Sequence, residues 1–292
     1  MPKKDINKKI IITADDFGLA EGINRGILKA YENGAITSAS LVANGRAFES
    51  AVEMVKRSGL DVGVHLTFLE EKPVSDLGDV RSIVRPGGFF LNSIPQFVAK
   101  VYLDRNALGH VMKEARAQIE KILQTGLRIS FLNSHRHVHM LPVLFGRLVS
   151  LAKEYGIRAV RLPNERLLKR HFLSSFKNLL FFPPVLFLKE LAVFQAGRLR
   201  RRGFQCLTCS TGILSSGRLD EKYLLSLLDA LPDGTSEIFS HPGTFESSMA
   251  PYRRWGYRWQ NELDALLSPA VRERLKDRGI KPVSFRDFLQ EA

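Results

Sequence analysis

The chain has few cysteines and no long hydrophobic run. Two cysteines among 292 residues exclude a scaffold held together by many disulfides. Cys206 and Cys209 form a single CxxC, and no second pair completes a four-cysteine zinc site. We therefore expect two reduced thiols near a strand. No apolar run reaches the roughly 18 residues of a membrane-spanning helix.

Acidic residues are scarce relative to basic ones. The sequence has 43 Lys and Arg against 30 Asp and Glu, a net charge of +13. Nine of the basic residues and a single acid, Glu190, lie between Arg166 and Arg202, so this segment alone carries +8. Such a cluster suits the phosphates of nucleic acid or the anionic head groups of a membrane surface. The N-terminus is basic but lacks the apolar core of a signal peptide, so we expect a cytoplasmic protein.

The order of apolar runs predicts an α/β fold. A chain of 292 residues, 45% of them hydrophobic, is long enough for one domain, 1–292, with a substantial core. Strands that alternate with helices indicate a parallel sheet. We predict strands at residues 9–13, 37–43, 61–65, 129–133 and 158–161, helices at 19–33, 47–58, 106–124 and 142–155, a loop-rich cover at 68–95 and an insertion at 166–205.

Four strand-like runs end in a carboxylate or a histidine. They are IIITADD, DVGVH, ISFLNSHRHVH and EIFSHPG, and they end at Asp15 and Asp16, His65, His135, and His241. The carboxyl ends of parallel strands open onto one face, so these side chains are expected to meet in one pocket. An aspartate with two histidines is a suitable ligand set for a divalent ion that keeps a position open for water.

The adjacent aspartates have two interpretations. Side chains of neighbouring strand residues point in different directions, so one can hold a metal while the other takes a proton. Alternatively, Asp15 or Asp16 caps the following helix. His65 also has two interpretations, either as a metal ligand or as a core histidine that is hydrogen-bonded to the backbone. His241 begins a turn, and a histidine with a pKa of about 6.5 can protonate a leaving group.

The HxHxH run is predicted to be extended. That conformation places His135, His137 and His139 on one side, with Arg136 and Val138 facing away. One imidazole would bind metal and the others would support it, because a ligand histidine usually needs a partner that fixes its tautomer. The alternative is a surface cluster that chelates metal by accident.

Together these motifs resemble the YdjC-like carbohydrate deacetylase family. The segments ITADDFGLAEGINRGILKAYENGAITSASLVANG, VGVHL, SHRHVHMLP, RLPNE and SHPG span residues 11–243 in the family's order. The resemblance implies a distorted (β/α) barrel related to polysaccharide deacetylases, one divalent ion (Zn, Mg, Co, Mn or Ni), and hydrolysis of an N-acetyl group on an amino sugar.

The resemblance also implies roles for single residues. Asp16, His65 and His135 would hold the metal, Asp15 would be the general base and His241 the general acid. Further roles would fall to Arg161, which would steady the site around the base, and to His137 and His139, which would support the ligands or face the substrate. Asn133 departs from the family, because many members have Asp there, and the lost charge predicts weaker metal binding.

The composition of the insertion indicates which kind of substrate to expect. Residues 179–188, LLFFPPVLFL, form a short apolar run among basic residues, which could lie in a membrane interface with the arginines near lipid phosphates. The alternative is a helix packed on the barrel. Nucleic acid is not expected, because the Phe residues lie within an aliphatic run and are not spaced for base stacking.

The chain further resembles the branch of the family associated with hopanoid biosynthesis. That likeness implies an N-acetylglucosaminyl lipid as substrate and a location at the inner membrane face. Two alternatives remain open. One is a deacetylase of soluble chitooligosaccharides, and the other is a non-catalytic relative that binds lipid or nucleic acid.

Overall fold

The computed structural model describes residues 8–167 and 176–291. Part of the predicted insertion, residues 168–175 and the side chains of residues 176–182, lies outside this description. Within the described residues, no helix is both long and apolar enough to cross a bilayer.

The described part of the chain forms one curled, parallel sheet of eight strands, with a small antiparallel hairpin beside it. The strands run in the order β7-β6-β3-β2-β1-β9-β8, and β10 lies next to the start of β1. The hairpin is made of β4 and β5. The strands are β1 (Lys8–Phe17), β2 (Ser38–Leu41), β3 (Asp61–Leu66), β4 (Val84–Arg85), β5 (Phe89–Phe90), β6 (Phe131–Ser134), β7 (Ala159–Val160), β8 (Cys209–Thr211), β9 (Gly234–Ser240) and β10 (Lys281–Pro282).

Helices connect the strands and cover the sheet. The longest is α6, and the helices are α1 (Glu21–Glu32), α2 (Phe48–Ser58), α3 (Ile94–Leu103), α4 (Ala107–Gln124), α5 (Pro142–Glu154), α6 (Phe176–Arg201), α7 (Glu221–Asp229), α8 (Trp259–Leu267), α9 (Pro269–Asp277) and α10 (Phe285–Gln290). Short 3-10 segments occur at Leu77–Asp79, His135–Met140 and Ser247–Trp255.

The two edges of the sheet approach each other. Ala159 of β7 forms an isolated parallel bridge with Gln205, just before β8, and the Gln205 amide donates to the Arg158 carbonyl at 3.0 Å. The sheet therefore curls into a distorted barrel with a weakly joined seam. This confirms the fold class predicted from the sequence.

Buried apolar strands explain why the prediction succeeded. Ile10, Ile11 and Ile12 in β1 are all buried, as expected for a parallel strand with both faces covered. Each of the five predicted strands and four predicted helices is present, with ends shifted by a few residues. The cover at 68–95 consists mainly of loops around the β4–β5 hairpin. Both thiols are free, and Cys209 begins β8.

The prediction of an extended HxHxH segment was wrong. His135–Met140 is a 3-10 segment, and Arg136 and His137 both have φ of 54°. This left-handed conformation is sparsely populated by non-glycine residues. The chain turns at once after His135, so the three histidines do not share one side.

Candidate metal centre

A bulge in β1 brings both aspartates to the site. Between Ala14 and Phe17 the register against β2 shifts, so that three steps along β1 match two along β2. Asp16 takes a left-handed φ of 66° at this point. A bulge redirects a side chain that strict alternation would send to the opposite face. Asp15 and Asp16 therefore point in different directions within the same pocket.

Asp16, His65 and His135 form a compact cluster. One ligand atom from each lies within 4.8 Å of the other two, and all three residues are buried. Asp16 Oδ1 is 3.3 Å from His65 Nε2 and 3.2 Å from His135 Nδ1. They come from the ends of β1 and β3 and from the residue after β6. The structure thus gathers the three predicted ligands at the carboxyl edge of the sheet.

The donor set fits a divalent cation. Asp16 Oδ2, His65 Nε2 and His135 Nε2 are buried atoms without a hydrogen-bond partner among the described residues. Buried polar atoms are normally satisfied, so an unpartnered atom on each of the three residues indicates that a ligand belongs there. A carboxylate and two imidazoles suit Zn²⁺ and several other divalent ions.

The carboxylate of Asp16 controls the protonation of this cluster. Burial alone lowers the pKa of His135, but the Asp16 carboxylate outweighs it and raises that pKa to about 9. Burial raises the pKa of Asp16. The charges and hydrogen bonds of His135 and His65 outweigh this effect and hold the pKa of Asp16 well below its ordinary value. A cation is therefore strongly favoured beside Asp16, and a proton on His135 competes with a metal ion for the place.

Asn133 links the metal cluster to Asp15. Its Oδ1 lies 2.7 Å from His65 Nδ1, and its Nδ2 donates to Asp15 Oδ1 at 3.2 Å. Because Oδ1 can only accept, His65 carries its proton on Nδ1, which leaves Nε2 free as a ligand. Ser40 Oγ also donates to Asp15 at 2.6 Å. An amide at position 133 thus still orients the imidazole.

Arg161 holds Asp15 in a buried triad with Glu237. Its guanidinium donates to Asp15 through Nη1 and Nη2 and to Glu237 through Nε and Nη2, and all three side chains are buried. Burial raises the pKa of Asp15, yet the charge of Arg161 outweighs this and holds the pKa well below its ordinary value. Asp15 is therefore ionised throughout the neutral range.

His241 lies on the other side of the site, just beyond β9. Its backbone N–H donates to Glu262 Oε2 at 2.6 Å, and its Nδ1 is buried without a hydrogen-bond partner among the described residues. Burial lowers the pKa of His241, and the charges of Asp16 and Asp15 recover only part of the shift. The ring contacts Tyr257, with 5.0 Å between centroids.

His137 and His139 lie below the ligand cluster. The His139 ring bonds Ser134 Oγ at 2.7 Å and the Arg161 carbonyl at 2.9 Å, so it fixes the chain around Arg161. The His137 ring packs edge-on against Phe239 at 5.2 Å. Burial lowers the pKa of both rings, that of His139 to about 4, and both stay neutral at pH 7.

The rim of the site contains residues that the sequence interpretation missed. Glu70 Oε2 lies 3.6 Å from His135 Nε2, and Glu70 also pairs with Arg136 and Arg254. The Trp255 ring packs at 5.0 Å from the ring of His135. These residues come from a loop and from short 3-10 segments, where no periodic pattern marks them. Glu237 could have been identified from the sequence, because a charged residue inside an apolar strand is unusual.

Comparisons with known proteins agree with the geometry. A carbohydrate deacetylase of Geobacillus stearothermophilus is 30% identical over 284 residues, covering 96% of this chain and 98% of that protein. A chitooligosaccharide deacetylase of Salmonella paratyphi B is 27% identical over 288 residues, covering 97% of this chain and all of that protein, 100%.

The fold comparison points the same way. A crystal structure from Enterococcus faecalis V583, named as a cellobiose-phosphate cleavage protein, has a TM-score of 0.74 at 25% identity and covers 97% of this chain and 99% of that one. The family model described as YdjC-like protein matches residues 9–277, nearly the whole chain. The chain therefore belongs to the YdjC-like protein family.

Proposed function

We propose that this protein is a metal-dependent carbohydrate deacetylase that hydrolyses the N-acetyl group of an amino sugar. One observation carries the proposal. The Asp16, His65 and His135 cluster lies beside an ionised Asp15 and a buried His241, at the carboxyl edge of a barrel. Relatives that match almost the full chain are named carbohydrate deacetylases, which supports the same reaction.

Amide hydrolysis needs an activated water and a stabilised oxyanion. A divalent ion held by Asp16, His65 and His135 would supply both, as a Lewis acid that also lowers the pKa of water. Asp15 accepts the proton that the attacking water loses. Arg161, Asn133 and Ser40 hold its carboxylate in a fixed orientation, so little reorganisation is needed when the proton moves.

The departing amine needs a proton, and we assign this proton transfer to His241. A well-placed general acid contributes roughly 10²- to 10⁴-fold in rate. The unpartnered Nδ1 of His241 is free to contact the leaving nitrogen. Burial lowers the pKa of His241, so the ring is mostly neutral at pH 7 and the protonated, proton-donating form becomes more populated as the pH falls.

Aromatic rings beside the site give a sugar a surface to lie on. Trp255 packs against His135, and Tyr257 packs against His241 and lies 5.6 Å from Trp255. Aromatic side chains commonly line ligand pockets, where their faces contact apolar C–H surface. Both carry exchangeable N–H or O–H groups for sugar hydroxyls.

For the sugar itself, we favour an N-acetylglucosaminyl lipid over a soluble chitooligosaccharide. The basic and apolar segment 166–205 supports this choice, as does the likeness to the hopanoid-associated branch. We propose that the enzyme meets such a substrate in the cytoplasm, at the inner membrane face. The soluble oligosaccharide is the second candidate, supported by the relative named a chitooligosaccharide deacetylase.

The test is acetate release. Full-length protein, stripped with a chelator and reloaded with Zn²⁺, Co²⁺, Mn²⁺, Ni²⁺ or Mg²⁺, is incubated with N-acetylglucosaminyl lipid in detergent and, separately, with chitobiose. Mass spectrometry should show the loss of one acetyl group from the lipid, dependent on metal and absent in His135→Ala. Release from chitobiose alone would select the soluble substrate. No release from either, with metal bound, would overturn the proposal.

A further inference from the structure

The helix α6 packs on the barrel through a narrow inner stripe. Val185, Ala192, Gln195 and Leu199 are buried, and their spacing of seven, three and four residues follows one side of a helix. Ala192 and Leu199 belong to the main hydrophobic core. The described part of this helix is therefore a fixed element of the fold, as one of the two interpretations of the insertion expected.

The outer face of α6 is apolar where a surface helix is normally polar. Leu186, Phe187, Val193 and Phe194 have exposed fractions of 38%, 63%, 53% and 59%. They form two adjacent columns, because residues seven apart lie almost directly above each other. Contiguous exposed apolar surface of this kind marks an interaction site.

Cations lie beside this outer face and at its C-terminal end. The Arg198 guanidinium lies 4.6 Å from the centroid of the Phe194 ring, and Arg200, Arg201 and Arg202 are exposed in the last turn and just after it. One acid, Glu190, lies on the same face. The surface thus combines exposed rings with guanidinium groups, as interfacial helices do.

A groove beside the helix repeats this chemistry. It has a volume of about 410 Å³ and runs between α5 and α6. Phe145, Val149 and Leu199 give it apolar walls, while Arg198, Arg201 and Arg202 line it with positive charge. A phosphate with an apolar chain attached would fit this groove, because the phosphate can pair with the arginines and the chain can contact the apolar walls.

The first half of α6, which includes Leu186 and Phe187, lies toward the active-site side of the barrel. After α6, Gln205 bonds Arg158 at the amino end of β7, so the helix runs from the carboxyl side of the sheet to the amino side. Twenty-six residues at about 1.5 Å each span roughly 39 Å, about twice the length of the 13-residue α5. The first half of α6 therefore extends beyond the carboxyl edge, where Asp16 and His135 lie.

We propose that the outer face of α6 docks the enzyme on an anionic lipid surface, with Phe187 and Phe194 in the interface and the arginines at lipid phosphates. Charge favours this occupant over a second copy of the chain. A symmetric dimer through α6 would bring together two faces that each carry a net +4 over residues 183–202, from Lys189, Arg198, Arg200, Arg201 and Arg202 against Glu190. This contact is separate from catalysis and does not depend on the deacetylase reaction.

The experiment is vesicle co-sedimentation of the full-length protein. The vesicles contain phosphatidylcholine with or without phosphatidylglycerol. Wild type should bind the anionic vesicles and release at high salt. Phe187→Ser with Phe194→Ser should bind at least tenfold more weakly. The matched control is Tyr102→Ser with Leu103→Ser on α3, whose side chains are 52% and 85% exposed; it should bind like wild type.

Several results would overturn this docking surface. They are equal binding by wild type and the Phe187/Phe194 variant, equal loss in the α3 control, binding to neutral vesicles with no effect of charge, or a wild-type dimer that the Phe187/Phe194 variant abolishes. Acetate release from the substrate that wild type hydrolyses, supplied in detergent or in free solution without vesicles, should stay unchanged in both double variants. His135→Ala should still bind vesicles, so failure of the catalytic proposal and failure of the docking proposal are distinguishable.

Discussion

At the scale of single residues, the charges around Asp15 determine its ionisation. It shares Arg161 with Glu237, so the buried triad carries one net negative charge. Buried charges are costly unless they are paired and fully hydrogen-bonded. Thr13 and Ser210 donate to Glu237 as well. The triad therefore keeps Asp15 ionised, and each of its charged groups has hydrogen-bond partners.

Asp15→Asn tests this arrangement. The amide cannot accept a proton, yet Arg161 and Glu237 remain as a neutral pair, so the fold should tolerate the change. We expect metal content to stay near that of wild type and kcat to fall by about 10²-fold or more. Metal analysis and acetate release measure the two effects. Glu237→Gln, which leaves Asp15 paired, is the control and should keep more activity than Asp15→Asn.

Asn133 offers a second residue-scale prediction. Asn133→Ala removes the closer of the two partners of His65 Nδ1 and leaves Ser40 Oγ at 3.0 Å. Loss of such a partner typically weakens metal binding by about 10- to 100-fold. Asn133→Asp keeps the acceptor and adds negative charge, so it should bind metal at least as tightly as wild type. Competition with a chromogenic chelator measures both affinities. Tighter binding by Asn133→Ala than by wild type would contradict the orienting role.

Some residue positions could not be predicted from the sequence. The residues that end strands could be, because apolar runs of parallel strands show where each strand stops. The bulge at Asp16 and the left-handed turn at Arg136 could not, because tertiary contacts impose these backbone conformations. An alternating HxHxH pattern is typical of a strand, and the local sequence gave no sign of the turn.

At the scale of elements, buried glutamates on helices and loops fix the segments around the site. Glu114 of α4 accepts from the amides of Val74 and Ser75. Glu165 accepts from the amides of Gly212 and Ile213. Glu262 of α8 does the same for Leu219 and His241. Each acceptor satisfies loop N–H groups that would otherwise be buried without partners.

Glu262 should make stability depend on pH. Burial raises its pKa from 4.5 to about 8, although several backbone N–H groups lower it. Between these two values the folded protein keeps a proton that the unfolded chain releases. The stabilisation is therefore complete below pH 4.5 and is lost as the pH rises toward about 8.

Glu262→Gln tests that sign. A neutral amide does not lose a proton, so the variant's cost in free energy of unfolding should be smaller at pH 8 than at pH 5. Urea titrations at the two pH values measure the difference. Glu273→Gln, the same exchange at an exposed glutamate of α9, should have the same cost at both pH values. An equal cost of Glu262→Gln at both pH values would show that this carboxyl titrates alike in the folded and unfolded chain.

Elements were predictable where their pattern was long or strongly apolar. The helices α4 and α5 and the strand β1 satisfy this. The strand β8 has three residues, too few for a pattern. The helix α3 was not predicted, because the predicted cover at 68–95 ends at Pro95, inside the first turn of this helix. The inner stripe of α6 was hidden as well, because both of its faces contain apolar residues.

At the scale of the whole molecule, the sheet joins residues that are distant in sequence. Asp16 and His135 are separated by 119 positions, yet they lie 3.2 Å apart, because β1 and β6 end at the same edge. That juxtaposition was predictable from fold class alone. The Trp255 contact with His135 was not, because it depends on how one long loop folds back over the edge.

Metal should therefore stabilise the entire barrel. The three ligands tie together β1, β3 and the segment after β6, and the unfolded chain has no such site. At a free-metal concentration about 100-fold above Kd, linkage gives about 2.7 kcal/mol, and in a domain of this size each kcal/mol raises Tm by roughly 2–4 °C. We expect Tm to rise by several degrees when Zn²⁺ is added to chelator-treated protein.

The pH dependence of this shift follows from His135. Its pKa of about 9 in the absence of metal means that a proton must leave before the ring can bind an ion, so metal affinity and the Tm shift should both fall as the pH is lowered from 9 toward 6. Differential scanning fluorimetry with and without Zn²⁺ measures the shift at each pH. His135→Ala should show a much smaller shift, whereas His110→Ala, outside the site, should behave like wild type. A full shift in His135→Ala would place the stabilising ion elsewhere and separate the metal from the Asp16 cluster.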